Sequence, residues 1–377
     1  MSCIRVVLFF AVMTTVLPAI PSTTYAELTA QDVIQRLALE ESDQPMREMP
    51  GWRAPEAVVV KVDGPDRLAW YQEVLPDSIA LLPAGDDYEA VQIAARNAQD
   101  VQAAVGFCNS DIVHAGPNIR WMQSFGAGVS QCIAIPEVAE GDYIVTNTQH
   151  LAGPQIAEYV IATMLYFSRG LDHYSAAQAE RTWNSFAVPA NELWAINTKT
   201  MFIAGLGGIG TEIARLADAL GMRVIATRNT SREGPDFVDY VGLAHELPDL
   251  AAQADVVVNA MPLTEATRGI FDAALFAQMK PTTLFLNVGR GGTVVTEDIV
   301  AALKSGTIAG ASLDVQDTEP LPRDHLLWDT PNLLITPHTQ SLYDSGREMH
   351  WIVLRENLRR YVAGEKMLSV VDIDKGY

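Results

Sequence analysis

Three residues in the C-terminal half of the chain have side chains suited to an anionic, carbonyl-bearing small molecule. Arg290 lies in NVGRGG, Glu319 in LDVQDTEPL and His338 in ITPHTQS. Each follows a short apolar run that reads as a strand, so each falls near a strand's C-terminal end. In an open parallel sheet those ends meet at the crevice where ligands bind. Arginine can grip a carboxylate or carbonyl oxygen through two parallel hydrogen bonds and polarise it. Histidine can give and take a proton near neutral pH. A glutamate beside the imidazole can hold its orientation and keep a proton available on it. Taken singly, each has a plainer reading: a surface ion pair, a satisfied core histidine, a turn cap. Together they suit protonation of a carbonyl oxygen as a hydride arrives, and the reverse. His114, His150, His173, His245, His325 and His350 lack such context and read as structural or surface residues.

A holder for the hydride donor is visible upstream. The run TMFIAG leads into Gly205-Leu206-Gly207-Gly208-Ile209-Gly210 and then TEIARLADALG. GxGxxG between a strand and a helix is the dinucleotide fingerprint. Gly205 permits the tight turn, Gly207 lets the backbone approach a pyrophosphate, and Gly210 allows close helix–strand packing. The helix start, with Gly208 and Ile209, offers free N–H groups to phosphate. At the end of the next strand an NAD-binding chain places Asp or Glu for the ribose hydroxyls. Here the residues are Ala226-Thr227-Arg228-Asn229, with Arg232 just beyond. Arginine attracts the 2′-phosphate that a carboxylate would repel. The expected cofactor is NADP(H), with NAD(H) the alternative.

The elements that must hold these groups form two βαβ series. Residues 28–41 read as a helix capped by Thr29, followed by a polar, Pro-containing linker. Strands are expected at AVVVKV (57–62), IALLP (79–83), AAVGF (103–107) and IRWMQSF (119–125). Residues 151–173 read as one long apolar helix. The second series has strands at 200–205, 223–227, 256–260, 283–288, 310–315 and 332–337, and a last helix at about 344–362. Such alternation implies parallel sheets in an α/β fold.

With these motifs in place, the chain resembles the D-2-hydroxyacid dehydrogenases over roughly residues 57–377. The resemblance rests on SFGAGVSQ (124–131), AEYVIATML (157–165), GLGGIG, AMPLTEATRG (260–269), NVGRGG, LDVQDTEP, TPHTQS and the final Gly376-Tyr377. It is closest in look to the glyoxylate/hydroxypyruvate reductase branch. The family implies two Rossmann-like or flavodoxin-like parallel-sheet domains with the active site in the cleft between them. It implies a cofactor domain at 148–336 and a substrate domain at 50–147 plus 337–377, with 27–50 an N-terminal helix and linker. It also implies hydride transfer between NAD(P)H and a small 2-keto or D-2-hydroxy acid, with His338 as acid/base. Asp314, Pro262, Asn287, Val288 and Gly289 would line the cofactor. Gly106 and Phe107 would bind the substrate carboxylate through backbone amides, beside Arg290. Phe107-Cys108 stand where the family often has arginine, which argues against a substrate with a second negative charge. A homodimer is implied, with 151–173 a candidate interface. A formate dehydrogenase of the same fold would carry Gln in place of Glu319. The alternative from another class is a non-catalytic NAD(P)-binding sensor or corepressor-like module.

Composition bounds the rest. The chain has 377 residues, 49% of them hydrophobic and 19% charged, which suits about two globular domains. Lys and Arg number 26 against 46 Asp and Glu, a net charge of −20, so a nucleic-acid partner is not expected. Cys3, Cys108 and Cys132 form no zinc pattern, and whether the last two pair stays open. Residues 1–26 have the layout of a secretory signal peptide: Arg5, an apolar run from Val6 to Ile20, then small residues up to Ala26. The run is too short for a membrane span. An exported protein is therefore expected, or a cytoplasmic one if translation starts near Met46 or Met49. No metal is expected.

Overall fold

The described strands form two parallel sheets. In the computed structural model, residues 28–49, 52–186, 188, 193–341 and 345–373 are described. The expected leader at 1–26 and the terminal Gly376-Tyr377 lie outside them. The first sheet comprises β1 (Ala57–Lys61), β2 (Ala80–Ala84), β3 (Val101–Val105), β4 (Trp121–Gln123) and β5 (Ile144–Thr146), in the order β2-β1-β3-β4-β5. The second comprises β6 (Thr200–Ala204), β7 (Arg223–Arg228), β8 (Tyr240–Leu243), β9 (Val256–Asn259), β10 (Leu284–Asn287), β11 (Gly310–Leu313) and β12 (Leu333–Ile335). Its order is β12-β11-β10-β9-β6-β7-β8, the doubly wound arrangement with a switch point between β6 and β9.

Strand residues alternate between cores, as a period of two requires. In the second sheet Phe202 and Val257 enter one core, while Met201, Ile203, Val256 and Val258 enter the other. In the first sheet Val58 and Val60 face one way, Ala57 and Val59 the other. Sheets covered on both faces need such apolar, β-branched runs. The helix Gly153–Ser168 puts Ile156, Val160 and Met164 against Ile213 and Ala217 of the helix Gly208–Ala219. The helix Ser345–Ala363 returns to the first sheet, where Trp351, Leu354, Leu358 and Tyr361 share its core.

Several expectations are corrected here. β5 and β8 were not foreseen, because three residues and a Gly-bearing YVGL carry little periodicity. The long helix breaks: Gly170 takes φ 62°, and a second helix runs Leu171–Ala179. The expected linker is docked on the C-terminal segment, with Ser42 N–H donating to Met367 O at 2.8 Å and Met46 buried. β3 ends at Val105, so Gly106 and Phe107 follow it. Cys108 and Cys132 are joined by a disulfide, with Cα atoms 5.4 Å apart.

Candidate active site

The C-terminal ends of β1, β10 and β11 open on a cavity of about 640 Å³, and the loop after β12 reaches it too. Arg290 and His338 lie on its wall, with Ile209, Val288 and Asp314.

Arg290 is presented by a braced loop. Asn287 Oδ1 accepts from Asn259 Nδ2 at 2.9 Å and from Gly289 N–H at 3.1 Å, and its Nδ2 donates to the Arg290 carbonyl at 3.3 Å. The Thr293 hydroxyl donates to that carbonyl at 2.6 Å. A Cβ on Gly289 would stand 2.6 Å from the Met261 carbonyl, so only glycine fits. Asn287 therefore braces the loop that presents Arg290. Arg290 Nη1 donates to the Gly289 carbonyl at 2.6 Å, and its other terminal nitrogen lies against Gly128. No described carboxylate pairs with it. Burial pulls its pKa below the ordinary arginine value and the field of Glu319 opposes that; arginine stays charged regardless. A largely buried cation without a counter-ion suits an anionic ligand.

His338 follows β12 at φ 53°, with its N–H on the Asp314 carbonyl at 2.8 Å. Its Nδ1 donates to Glu319 Oε2 at 2.8 Å. The other glutamate oxygen accepts Gln316 N–H at 2.8 Å. The carboxylate is thus held at both ends, which fixes the ring and leaves Nε2 for the cavity. Asp314 Oδ1 accepts from the Thr336 hydroxyl at 2.6 Å. Tyr159 OH meets Ser312 and Thr336 at 2.7 and 2.9 Å, tying the helix Gly153–Ser168 to the site.

The glycine loop has the shape a dinucleotide needs. Gly205 takes φ 98°, and a Cβ on Gly210 would overlap the Gly205 carbonyl. Gly207 faces open space, while Gly208 packs under His150 Nδ1. The helix Gly208–Ala219 has no side-chain cap and no acid in its first turn, so its N–H groups are free for phosphate. Thr227 is buried and its carbonyl accepts Leu206 N–H at 2.9 Å, which braces the turn. Arg228 Nε is buried without a partner. Arg232 is instead paired with Glu246 at 2.7 Å. Arg228 is thus the cation available to a phosphate. Pro262 is exposed, and its carbonyl accepts the Thr267 hydroxyl at 2.7 Å.

Gly106 packs against Lys61 on the cavity wall, and its N–H continues the ladder to the Gln123 carbonyl at 2.8 Å; the Phe107 side chain is buried in the core. Conversely, the cavity wall includes residues not singled out from sequence: Lys61, Gly126 to Gly128, Arg347 and His350. His350 is buried, stacked 5.5 Å from Phe125. A single lysine closing the VVV run carries no signal of this place by itself.

The family description "D-isomer specific 2-hydroxyacid dehydrogenase, NAD binding domain" matches residues 161–340. Glyoxylate/hydroxypyruvate reductase A of Photorhabdus laumondii is 33% identical over 225 residues, 60% of this chain and 69% of that protein. The human glyoxylate reductase/hydroxypyruvate reductase is 30% identical over 259 residues, 68% and 77% of the two chains. The crystal structure of NADPH-dependent glyoxylate/hydroxypyruvate reductase from Sinorhizobium meliloti, in complex with NADP and sulfate, superposes with TM-score 0.72 and 28% identity over 85% of this chain and 100% of that one. Matched in sequence, fold and motif order, the chain belongs to the D-isomer specific 2-hydroxyacid dehydrogenase family, on the side of its glyoxylate/hydroxypyruvate reductases.

Proposed function

We propose that the chain interconverts small 2-keto acids, of the glyoxylate or hydroxypyruvate type, and D-2-hydroxy acids with NADP(H). The observation that carries this is His338 fixed by Glu319 at 2.8 Å beside a largely buried Arg290 that makes no ion pair among the described residues. The relatives' names support the substrate class, and the unpartnered Arg228 Nε supports the phosphorylated cofactor. The glycine loop and Arg228 would hold that cofactor, which supplies the hydride. Arg290 polarises the carbonyl and stabilises the negative charge that gathers on its oxygen. His338 gives its Nε2 proton to that oxygen, so hydride on carbon and proton on oxygen make the alcohol. Glu319 stabilises the imidazolium before the transfer. In the reverse direction neutral His338 takes the hydroxyl proton. Saturable oxidation of NADPH by glyoxylate or hydroxypyruvate, faster than that of NADH, tests the reading. No turnover with any 2-keto acid would remove it.

Two finer statements go with it. Export is supported by the layout of residues 1–26 and by the Cys108–Cys132 disulfide, which belongs to oxidising compartments. N-terminal sequencing of the mature protein would read Glu27 first; an intact Met1 would oppose export. Dimerisation is supported by Trp183 and Phe186, 97% and 89% exposed, a pair that a partner surface would cover. The helix Gly153–Ser168, within the candidate interface 151–173, turns Ile156, Val160 and Met164 inward and leaves Leu165, Tyr166 and Phe167 half-buried. A monomer mass in light scattering would oppose dimerisation.

A further inference from the structure

The first sheet has a switch point of its own, between the adjacent strands β1 and β3. Carboxyl ends at a switch point are where open parallel sheets receive ligands. Lys61 ends β1, Gly106 follows β3, and Lys61 lines the same cavity as Arg290 and His338. Gly106 takes φ 90°, and a Cβ there would collide with Lys61 Cβ and stand 3.1 Å from its Cδ. The glycine is what lets the lysine stem pass. The ammonium then stands 5.0 Å from the Phe107 ring centre and 5.8 Å from that of Phe125.

Those two ring faces are its contacts; Lys61 has no carboxylate or hydrogen-bond partner among the described residues. In a chain with 46 acidic residues against 26 basic ones, a cleft cation left without a counter-ion is out of keeping with its surroundings. Arg347, on the same wall, is exposed and faces Asp63 at 4.0 Å. Of the two backbone amides that the family resemblance assigns to the substrate carboxylate, Gly106 N–H is committed to the Gln123 carbonyl. The first sheet's side of the cleft offers Lys61 beside the other.

We propose that Lys61 anchors the carboxylate of the 2-keto acid, opposite Arg290, whose fork is then directed at the carbonyl oxygen. This rests on the keto-acid reading above. An anchor that holds the carboxylate equally before and during reaction acts on KM more than on kcat. Losing one charged hydrogen-bonding partner corresponds to about tenfold to a hundredfold in binding. In the full protein, Lys61→Met is expected to raise KM for glyoxylate and hydroxypyruvate by that factor, with kcat falling much less, and Lys61→Arg to recover most of the loss. Calorimetric titration with oxalate, which needs no turnover, is expected to show the same weakening in Lys61→Met and recovery in Lys61→Arg. Unchanged oxalate affinity and KM in a folded Lys61→Met protein would overturn the proposal. So would a loss confined to 2-oxoglutarate and absent for 2-oxopentanoate, which would place Lys61 at the far end of the substrate. If the wild type turns over no 2-keto acid yet binds oxalate through Lys61, the anchor stands and the proposed reaction falls.

Discussion

In the proposed reaction Arg290 and His338 divide the electrostatic work of carbonyl reduction, one facing the developing oxyanion and the other supplying its proton. A positioned acid contributes about 10²–10⁴-fold to rate, so His338→Gln is expected to lower kcat by that order without loss of fold. Glu319→Gln keeps a hydrogen bond to the ring but removes the charge that stabilises imidazolium, so a smaller loss in kcat is expected. Steady-state kinetics with circular dichroism as a folding control checks both; full activity in His338→Gln would exclude it as the acid. At the other end of the site, Arg228→Ala removes the cation available to a 2′-phosphate. Affinity for NADPH is expected to fall about tenfold to a hundredfold, and affinity for NADH little. Fluorescence titration with each nucleotide reads this directly, and equal losses would point to a structural role. The triad was legible because three uncommon residue types stand at three consecutive strand ends. Lys61 was not, because one lysine after VVV looks like a strand's polar terminus. The bracing role of Asn287 was hidden for a different reason: its side chain turns into the loop beneath Arg290, which only three-dimensional packing reveals.

Among the elements, the strongest patterns were the most legible. VVVN at β9 and AVVVK at β1 have both faces apolar, and both are central strands. Thr29 caps its helix as expected: its side chain accepts Asp32 N–H, and Asp32 accepts Thr29 N–H at 2.9 Å. The short edge strands β5 and β8 were hidden because an edge position asks less of its residues. The run 151–173 was read as one helix, and Gly170 in the left-handed region divides it in two. The disulfide pairing could not be read from spacing; the fold brings Cys108 and Cys132 together across 24 residues. Closing a loop of that size stabilises a chain by about 3 kcal/mol. Reduction is therefore expected to lower the melting temperature of the protein by several degrees, as differential scanning calorimetry with and without dithiothreitol would show. An unchanged transition would mean that the pair is not closed in solution.

Across the whole molecule, two switch points face one cavity, the nucleotide fingerprint at one and Lys61 at the other. His150 sits where the chain passes from the first sheet to the second, at φ 70°, packed over Gly208. Burial holds its pKa below the ordinary imidazole value, against the opposing pull of Glu40 and Glu212. The unfolded chain therefore takes up this proton before the folded one. Stability rises with pH through that window and is lost as pH falls below the usual histidine range. His150→Gln is expected to flatten this part of the stability profile in urea titrations from pH 7 to 5; an unaltered slope would assign the dependence to other groups. The two-sheet α/β architecture was readable from alternation alone. The docking of residues 42–49 on the C-terminal segment was not, since it depends on contacts between opposite ends of the chain.

Hydroxypyruvate and NADPH should be incubated with the wild-type protein and with His338→Gln, and the glycerate formed resolved by enantiomer against NADPH consumed. One D-glycerate per NADPH is expected from the wild type, and at least a hundredfold slower formation from the variant. L-glycerate, or D-glycerate formed equally fast by both proteins, would exclude His338 as the acid of a D-specific reduction.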